Sequence, residues 1–410
     1  MRVCKERIKN KETIKRCAEL AQLSRNLYNR INYILRQVKD HPENIPEYSD
    51  LIKNGFISQF DLAKRMRAVK DSDFKAILNS HVGDSILKDA YQNWKSFFQS
   101  LKKREKGRRY SVPGYALDKY GREKGQTSFY SWQVGTDIAI KDGMCNFPKA
   151  AGLPPIKNIV NGKLKQIRLV WKNGQYYFYH VYEEKKPEVP DLDYNKYLGI
   201  DVGVDNLFTC VTTDSDAFIV NGKVLKSINQ FWNKKSAEAH SFVGNRGWSK
   251  RLDTLNHKRN NRIETLGHKY SKYVVQYCVE HNIGNIIIGK NKGWKQESDM
   301  GKKGNQRFVC IPHAKIIDMI KYKADAYGIT VEEIEEAYTS KCDALSKESI
   351  EKHEEYTGKR KHRGLFVSGT GVELNADVNG ALNILRKKIG DDFLNKIDVY
   401  KLQEVRRIDM

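Results

Sequence analysis

The feature that most constrains the fold of this chain is an apolar run in its second half, YLGIDVGVDNLFTCVT, which begins at Tyr197. Its aliphatic and branched side chains are typical of a buried β-strand. Asp201 stands inside this strand, where an ionised carboxylate costs free energy unless a cation or a set of hydrogen-bond donors compensates. Gly199 and Gly203, on either side, would let another backbone or a phosphate approach closely. Asp201 is therefore a candidate functional residue.

The segments after this strand predict an α/β sheet with covered faces. In chain order, the pattern predicts a second strand near Ala217–Val220, the Asn221-Gly222 turn before a short third strand, a long basic helical stretch to about His281, a buried strand NIIIG, a helix from about Pro312 to Tyr327, a strand ITVEEIEEA, and a final helix beginning near Ala376. Strands followed by alternating strands and helices are typical of such sheets.

A second acidic residue, Asp377, stands at the start of that final helix, in the run ELNADVNGALNIL. The apolar positions after it predict that one helix face packs on the sheet, with Asp377 directed toward the sheet. Two carboxylates from distant segments suit hard divalent cations, and paired cations can stabilise the attacking and leaving oxygens of a phosphodiester displacement. Two alternatives stay open: a strand-end acid bonded to nearby backbone for Asp201, and a plain helix N-cap for Asp377.

The first half of the chain predicts helices followed by short antiparallel strands. MRVCKERI predicts an edge strand, and helical spacing extends over about 11–37 and again over about 58–103. From about 127 to 183 the pattern changes to short strands, and the turn at 172–174 between two alternating runs indicates a hairpin. These strands predict a small antiparallel β-barrel.

Charge and cysteine usage indicate the partner class and the compartment. The formal net charge is +23 and the pI about 9.5, with basic residues along the whole length. Such surfaces bind nucleic acid with steep salt dependence; the alternative is a protein that is merely basic. No apolar run approaches the roughly 20 residues of a membrane helix, the N-terminus lacks a secretory core, and the seven cysteines form no CxxC pair. We expect a cytoplasmic, nucleoid-associated bacterial protein without a membrane partner.

Several of these segments resemble one family. GIDVGVDNL resembles the first RuvC motif, and NADVNGALNIL the third, of the transposon-encoded TnpB proteins and their relatives, the compact type V CRISPR effectors. IIIGKNKGWKQ, GNQRFVCIPHAKIIDMIKYKADAYGI and YTSKCDAL are similar to the connecting segments of one TnpB branch, and SRNLYNRINYILRQ to the start of its recognition region. The resemblance implies a transposon-encoded, RNA-guided DNA endonuclease that uses two Mg²⁺ ions. Its partners would be a guide RNA from the transposon end and double-stranded target DNA beside a short protein-read motif; a monomer is favoured.

The implied fold class combines α/β, all-β and α parts. It comprises a ribonuclease H-like RuvC domain and a small antiparallel β-barrel, or wedge, domain with an inserted helical recognition domain. The boundaries expected here are 1–10 and 110–190 for the wedge-like barrel, 11–109 for the recognition domain, 191–340 and 371–410 for the RuvC domain, and 341–370 for a degenerate insert that binds target nucleic acid.

The chain departs from the family pattern at the fourth RuvC strand, where most members carry a glutamate. Here the strand IIIG ends at Gly289 without an acid. ITVEEIEEA, as the neighbouring fifth strand, would lie about 4.8 Å away, and it supplies four glutamates, at 332, 333, 335 and 336. Glu336 is the chosen substitute because it stands at the expected strand end and matches a relocated glutamate of this branch; its alternative is a solvated strand end. The expected catalytic and Mg²⁺-binding residues are therefore Asp201, Glu336 and Asp377.

The chain also departs from the family pattern in its zinc motif. Many relatives hold two CxxC pairs before the third RuvC motif, whereas here Cys342 is accompanied only by His353 and His362. One thiol and scattered histidines make a poor tetrahedral site, so no structural zinc is expected.

Contacts to phosphate or to nucleic acid are expected from a further set of residues, comprising Arg363, Arg25, Tyr28, Asn79, Lys88, Arg259 and Arg262. Core packing or a solvated surface is the alternative for these side chains. Two other functions also stay open. A nuclease-inactive, RNA-guided transcriptional repressor is motivated by the missing acid at Gly289, and a compact type V CRISPR effector would share the chemistry but take its guide from a repeat array.

Overall fold

The computed structural model describes residues 1–77, 79–103, 110–116, 130–172, 174–184, 187–245, 247–290, 311–362 and 364–410. The chain forms two compact units, Met1–Lys185 and Lys186–Met410. The finer division into wedge, recognition, RuvC and insert segments stays a prediction. Among the described helices, none combines the length and the apolar character needed to cross a membrane.

Antiparallel strands form two sheets in the first unit. The strands are β1 (Arg2–Arg7), β2 (Tyr130–Gln133), β3 (Ala139–Lys141), β4 (Met144–Asn146), β5 (Ile156–Lys157), β6 (Lys163–Lys172) and β7 (Gln175–Glu183). One sheet has the order β1-β7-β6-β2 and the other β3-β4-β5. The predicted edge strand is confirmed as β1, and the predicted hairpin as β6 and β7. Closure of these strands into a barrel stays a prediction.

The helices of the first unit lie between β1 and β2 in the chain. They are α1 (Lys11–Asp40), α2 (Gln59–Ala68), α3 (Ser72–Ala76) and α4 (Ser80–Lys102), with short 3-10 turns at Pro42–Asn44, Pro46–Leu51 and Lys149–Ala151. The helical content predicted for 58–103 is confirmed, but it is divided among three helices. Asp71 and Asn79 favour the two breaks, because their side chains accept backbone hydrogen bonds at the starts of α3 and α4.

A six-stranded mixed sheet is the centre of the second unit. Its strands and those of a smaller sheet are β8 (Asp193–Val202), β9 (Asn206–Thr212), β10 (Ala217–Asn221), β11 (Ile283–Gly289), β12 (Thr330–Ile334), β13 (Lys359–His362), β14 (Leu365–Val367), β15 (Glu373–Asn375) and β16 (Arg406–Ile408). The large sheet has the order β12-β11-β8-β9-β10-β16, in which β8, β9 and β10 are antiparallel and β11 and β12 run parallel to β8. This mixed α/β architecture is consistent with a RuvC-like fold.

Helices pack on both faces of this sheet, as predicted. They are α5 (Lys223–Val243), α6 (Lys250–Glu280), α7 (His313–Ala326), α8 (Ala376–Ile389) and α9 (Val399–Gln403), with a 3-10 turn at Asp392–Lys396. Successive strand residues point to opposite faces. Ile286 and Ile288 of β11 therefore join the apolar cluster under α5–α7, whereas Ile287 joins the cluster under α8.

Three sequence-based predictions for this unit were wrong in detail. The run beginning at Tyr197 forms two strands, because Gly203 allows a tight turn in which a Cβ would lie 2.4 Å from the Asn206 carbonyl oxygen. The Asn221-Gly222 pair precedes α5 and not a third strand. The long basic helical stretch is two helices, α5 and α6, and β16 was not predicted at all. The break at Gly203 and the strand β16 became evident only from the pairing of strands in the sheet.

We expect Gly199→Ala to lower the free energy of unfolding of the second unit by about 1–3 kcal/mol. A Cβ there would lie 2.6 Å from Leu385 Cγ and 2.8 Å from the Ala381 carbonyl oxygen, so α8 would have to move away from β8. Urea denaturation would measure this change. Gly267→Ala is the matched control, because its Cβ would meet only flexible side chains at 3.3 Å. Equal destabilisation by both substitutions would contradict a close approach of α8 at Gly199.

Candidate active site

Asp201 lies on β8 against the first turns of α8. Its Oδ2 is 3.0 Å from the position that a Cβ on Gly380 would occupy, so the absence of a side chain at Gly380 leaves room for the carboxyl group. Burial raises the pKa of Asp201 well above its usual range, and the nearby carboxylates of Asp377 and Glu336 raise it further. The backbone of Val202 opposes this shift only weakly. Asp201 is therefore a partly buried acid beside two others.

Asp377 lies in the first turn of α8, but it is not the N-cap. Asn375 holds that position, and its Oδ1 accepts a hydrogen bond from the Asp377 backbone N–H at 3.0 Å. The Asp377 carboxyl group is thus available to other partners. Its Oδ2 accepts a hydrogen bond from Asn206 Nδ2 at 2.7 Å, and its Oδ1 lies 3.6 Å from Arg360 Nη2. The N-cap alternative for Asp377 is excluded.

Glu336 brings the third carboxyl group from beyond the end of β12, which finishes at Ile334. Its Oε2 lies 3.0 Å from the position of a Cβ on Gly289, the last residue of β11. Glu336 therefore fills the space beside the residue where the family resemblance places an acid. Burial raises the pKa of Glu336 to about 7, an effect that Lys387 partly opposes.

The other glutamates of this segment have different environments. Glu332 and Glu333 form ion pairs with lysines at 2.6–2.8 Å. The carbonyl oxygen of Glu335 accepts a hydrogen bond from Lys387, but no contact joins its carboxylate to Asp201 or Asp377 among the described residues. The expectation that Glu336 marks the strand end was wrong by two residues, and so its direction is set by the following turn and not by strand alternation.

Helix α8 holds the turn that carries Glu336. Lys387 Nζ donates to the carbonyl oxygens of Glu335 and Ala337, at 3.1 and 2.8 Å, on either side of Glu336. Asn383 Nδ2 donates to the carbonyl oxygen of Thr339 at 2.9 Å. Asp377 and these anchoring side chains belong to one rigid helix, and the position of Glu336 is therefore tied to that of Asp377.

These acids offer the donor set that divalent cations prefer. All of their ligand atoms are carboxylate oxygens, as Mg²⁺ requires, and Gly289 and Gly380 leave space beside two of them. A bound cation would also offset the cost of placing an ionised Asp201 among two other carboxylates. In the described part of the chain, no three His, Cys, Asp or Glu side chains already surround one ion position. Coordination of a common ion therefore requires side-chain rotation.

Comparison with known proteins finds relatives of both parts of the chain that carry these acids. Residues 179–295, which include Asp201 and Gly289, match the family model OrfB_IS605, described as a probable transposase. Residues 313–384, which include Glu336 and Asp377, match the Cas12f1-like TNB domain. The TnpB-like protein ORF457 of Acidianus two-tailed virus is 22% identical over 90% of this chain and 83% of its own length. The chain is therefore similar to a TnpB-like protein over most of its length.

Other relatives of this chain are type V effectors. The CRISPR-associated endodeoxyribonuclease Cas12f1 of Sulfoacidibacillus thermotolerans is 25% identical over 51% of this chain. The chain spans 31–49% of the length of the Cas12f relatives it matches, and 49% in this case. A solved Cas12f1–sgRNA–target DNA complex aligns over 95% of this chain and 99% of its own, with 16% identity and a TM-score of 0.39. That score is too low to establish a common fold.

A hydrogen-bond network around Asp343 joins residues 343–346 to residues 368–369. The Asp343 carboxylate is fully buried and accepts five hydrogen bonds. The donors are Leu345 N at 3.1 Å, Ser346 N at 3.4 Å, Ser346 Oγ at 2.6 Å, Ser368 Oγ at 2.8 Å and Gly369 N at 2.7 Å. Nearby, Cys342 Sγ donates to the Glu351 carbonyl oxygen at 3.5 Å. The Asp343 carboxylate thus connects, through hydrogen bonds, the two segments in which many members of the resembled family carry zinc ligands. The prediction that zinc does not bind stays a prediction.

The side chains predicted to contact nucleic acid lie in varied surroundings. Arg363 lies outside the described residues. Arg25 and Tyr28 are buried in the helical part of the first unit. Asn79 caps α4 and donates to Asp137 Oδ1 at 2.6 Å. The role of each in contacting nucleic acid stays a prediction.

The remaining three predicted contacts lie on two helices. Lys88 of α4 and Arg262 of α6 are exposed. Arg259 donates from Nε to Asn229 Oδ1 at 2.7 Å, and its guanidinium lies 4.8 Å from the ring of Trp232. Arg259 therefore contributes to the packing of α5 on α6, and its contact with nucleic acid also stays a prediction.

Two residues near Asp377 were missed by sequence reasoning, namely Asn206 and Arg360. Asn206 begins β9 and lies 171 positions before Asp377, so only the pairing of β8 with β9 brings it to the site. Arg360 lies on β13, three residues before Arg363 in the sequence. A basic strand beside the third RuvC-like motif was the available signal.

Proposed function

We propose that this chain is an RNA-guided DNA endonuclease that hydrolyses phosphodiester bonds with divalent cations held by Asp201, Glu336 and Asp377. The observation that carries the proposal is the convergence of these carboxyl groups from a strand, a turn and a helix that are far apart in the sequence. The effect of the Asp377 and Glu336 carboxylates on the pKa of Asp201 supports a shared site. The match to the probable transposase family favours an origin in a transposon.

The residues of the site have separable roles in the proposed reaction. Bound Mg²⁺, with two ions expected, would stabilise the charge on the attacking and leaving oxygens of an in-line displacement. Asp201 and Glu336 have raised pKa values, and a nearby positive charge favours the ionised form that a ligand needs. Asn206 orients the carboxyl group of Asp377 through its hydrogen bond.

The net positive charge of the chain and the names of its relatives both support nucleic acids as its partners. A net charge of +23 suits a chain that holds RNA and DNA together. The relatives include proteins named endodeoxyribonucleases and CRISPR-associated. We therefore propose a guide RNA and double-stranded target DNA as partners of a monomeric protein without zinc. Base pairing with the guide would read most of the target, and the protein would read a short adjacent motif.

Removal of divalent cations tests the proposed chemistry. The purified protein with its guide RNA is expected to cut a matching plasmid in Mg²⁺ and to leave it intact in EDTA, because carboxylates alone supply no positive charge to the phosphate. Gel analysis would follow cleavage, and a filter assay would follow target binding separately. Equal cleavage in EDTA would contradict the metal site.

A nuclease-inactive repressor is the second candidate, because Gly289 lacks the acid that most of the family carries there. It predicts tight target binding without cleavage in either Mg²⁺ or Mn²⁺. The position of Glu336 beside Gly289 favours the nuclease. Sequencing of the RNA that copurifies with the protein would distinguish a guide from a transposon end from one transcribed from a CRISPR array.

A further inference from the structure

Arg360 lies beside the acidic site although the proposed reaction does not yet use it. Its Nη2 is 3.6 Å from Asp377 Oδ1, while the other oxygen of Asp377 accepts a hydrogen bond from Asn206. Arg360 also acts on Asp201, where its positive charge opposes the larger effects of burial and of the two carboxylates. One guanidinium thus supplies positive charge to two acids of the site.

The backbone of Arg360 is tied to the start of α8. β13 pairs with β14, where Arg360 is opposite Phe366, and β14 pairs with β15, where Phe366 is opposite Leu374. Phe366 and Leu374 are buried, and β15 continues directly into α8. The Arg360 side chain itself is half-exposed. Its guanidinium can therefore turn while its backbone stays fixed.

We propose that Arg360 neutralises Asp377 by ion pairing while no cation is bound at the site, and so acts as its counter-charge. Once a divalent cation occupies Asp377, the guanidinium of Arg360 binds a phosphate oxygen of DNA. The planar guanidinium suits both partners, since it forms charge-assisted hydrogen bonds with carboxylates and with phosphates. This inference rests on the proposed function, because it requires cation binding at Asp377.

The neighbouring residue, Lys361, provides a matched control. Lys361 Nζ lies 3.4 Å from Glu373 Oε1, whereas the guanidinium of Arg360 lies beside Asp377. Lys361→Gln and Arg360→Gln each remove one positive charge from β13. Any difference between the two variants therefore reports on the position of the charge.

Opposite effects on cation binding and on cleavage test the proposal. The full-length protein without nucleic acid would be titrated with Mn²⁺ by calorimetry, with Asp201→Asn as the variant that lacks the site. Arg360→Gln is expected to bind Mn²⁺ about two- to fivefold more tightly than the parent, because a half-exposed ion pair no longer competes for Asp377. At saturating Mn²⁺ the same variant is expected to cut guided DNA at least about tenfold more slowly, with target binding and thermal melting unchanged.

The outcomes separate this inference from the proposed function. Mn²⁺ affinity in Arg360→Gln that is equal to or weaker than that of Lys361→Gln overturns the role of Arg360 as a counter-charge. Equal cleavage rates in these two variants overturn its contact with phosphate. A parent protein that shows no Asp201-dependent Mn²⁺ binding overturns the proposed function and this inference together. A parent that binds Mn²⁺ and cuts leaves the proposed function standing whichever result Arg360→Gln gives.

Discussion

Glu336→Gln is expected to lower guided DNA cleavage by about two to three orders of magnitude, the loss typical of removing one charged group that stabilises a reacting phosphate or oxyanion. The substitution keeps the size of the side chain and removes its negative charge. The amide still fits the space beside Gly289, so folding and target binding should persist. Single-turnover cleavage with excess protein would measure the chemical step apart from product release.

Glu335→Gln is the matched control for this prediction. It makes the same chemical change one residue earlier, while the carbonyl oxygen that binds Lys387 is retained. Cleavage by Glu335→Gln is expected to equal that of the parent. If Glu336→Gln and the parent cut at the same rate, the third carboxylate of the site is not Glu336. Loss of cleavage in both variants would instead indicate disruption of the turn.

Asp343→Ala is expected to lower the free energy of unfolding of the second unit by about 3–5 kcal/mol, because several buried donors lose a charged acceptor together. The affected groups include the backbone N–H groups of Leu345 and Gly369 and the hydroxyl groups of Ser346 and Ser368. Thermal melting of a unit of this size should shift by roughly 10 °C.

Comparison with an exposed aspartate controls for the loss of charge. Asp392 is exposed at the start of a 3-10 turn, and Asp392→Ala is expected to change stability by less than about 0.5 kcal/mol. A similar small effect for Asp343→Ala would show that water or other groups satisfy the donors around residue 343. Cleavage should be measured below the melting range of both variants, so that stability and chemistry are separated.

The same network predicts a dependence of stability on pH. Burial alone would raise the pKa of Asp343, but hydrogen bonds from Ser346, Gly369 and Ser368 outweigh it and lower the pKa below its usual value. A carboxyl group whose pKa is lower in the folded state stabilises the fold at pH values above its unfolded pKa, which is about 3.9 for aspartate. This stabilisation is lost as the pH falls through the pKa of the folded state. The difference in stability between the parent and Asp343→Asn should therefore shrink below about pH 4.

The sequence predicted the site best where an acidic residue stands within a clear helical or strand pattern. Asp201 was singled out because an acid inside an apolar strand is costly to bury. Asp377 was singled out because it begins a helix whose apolar face packs on the sheet. The bounds of α8 and β11 agree closely with the hydrophobic pattern. The strands around Gly203 were harder to predict, because the apolar run continues through the turn and only the pairing of β8 with β9 reveals the break.

Glu336 shows the limit of pattern-based reasoning. The choice among four glutamates relied on counting along a strand, whereas β12 ends before Glu335. The direction of Glu336 depends on the turn after it, where Tyr338 has a φ of +65° and α8 binds the backbone through Lys387 and Asn383. No period in the sequence encodes these contacts, because their partners lie about 50 residues away along the chain.

By itself, the sequence determined a basic chain with an α/β second half, two acids in RuvC-like motifs and a missing acid at Gly289. These properties depend on residue type and local spacing, which a single chain displays directly. Only the tertiary structure decided that Glu336 fills the space beside Gly289 and that Arg360 and Asn206 hold Asp377. Those pairings depend on how strands and α8 pack in space, and packing brings together residues whose separation in sequence carries no signal.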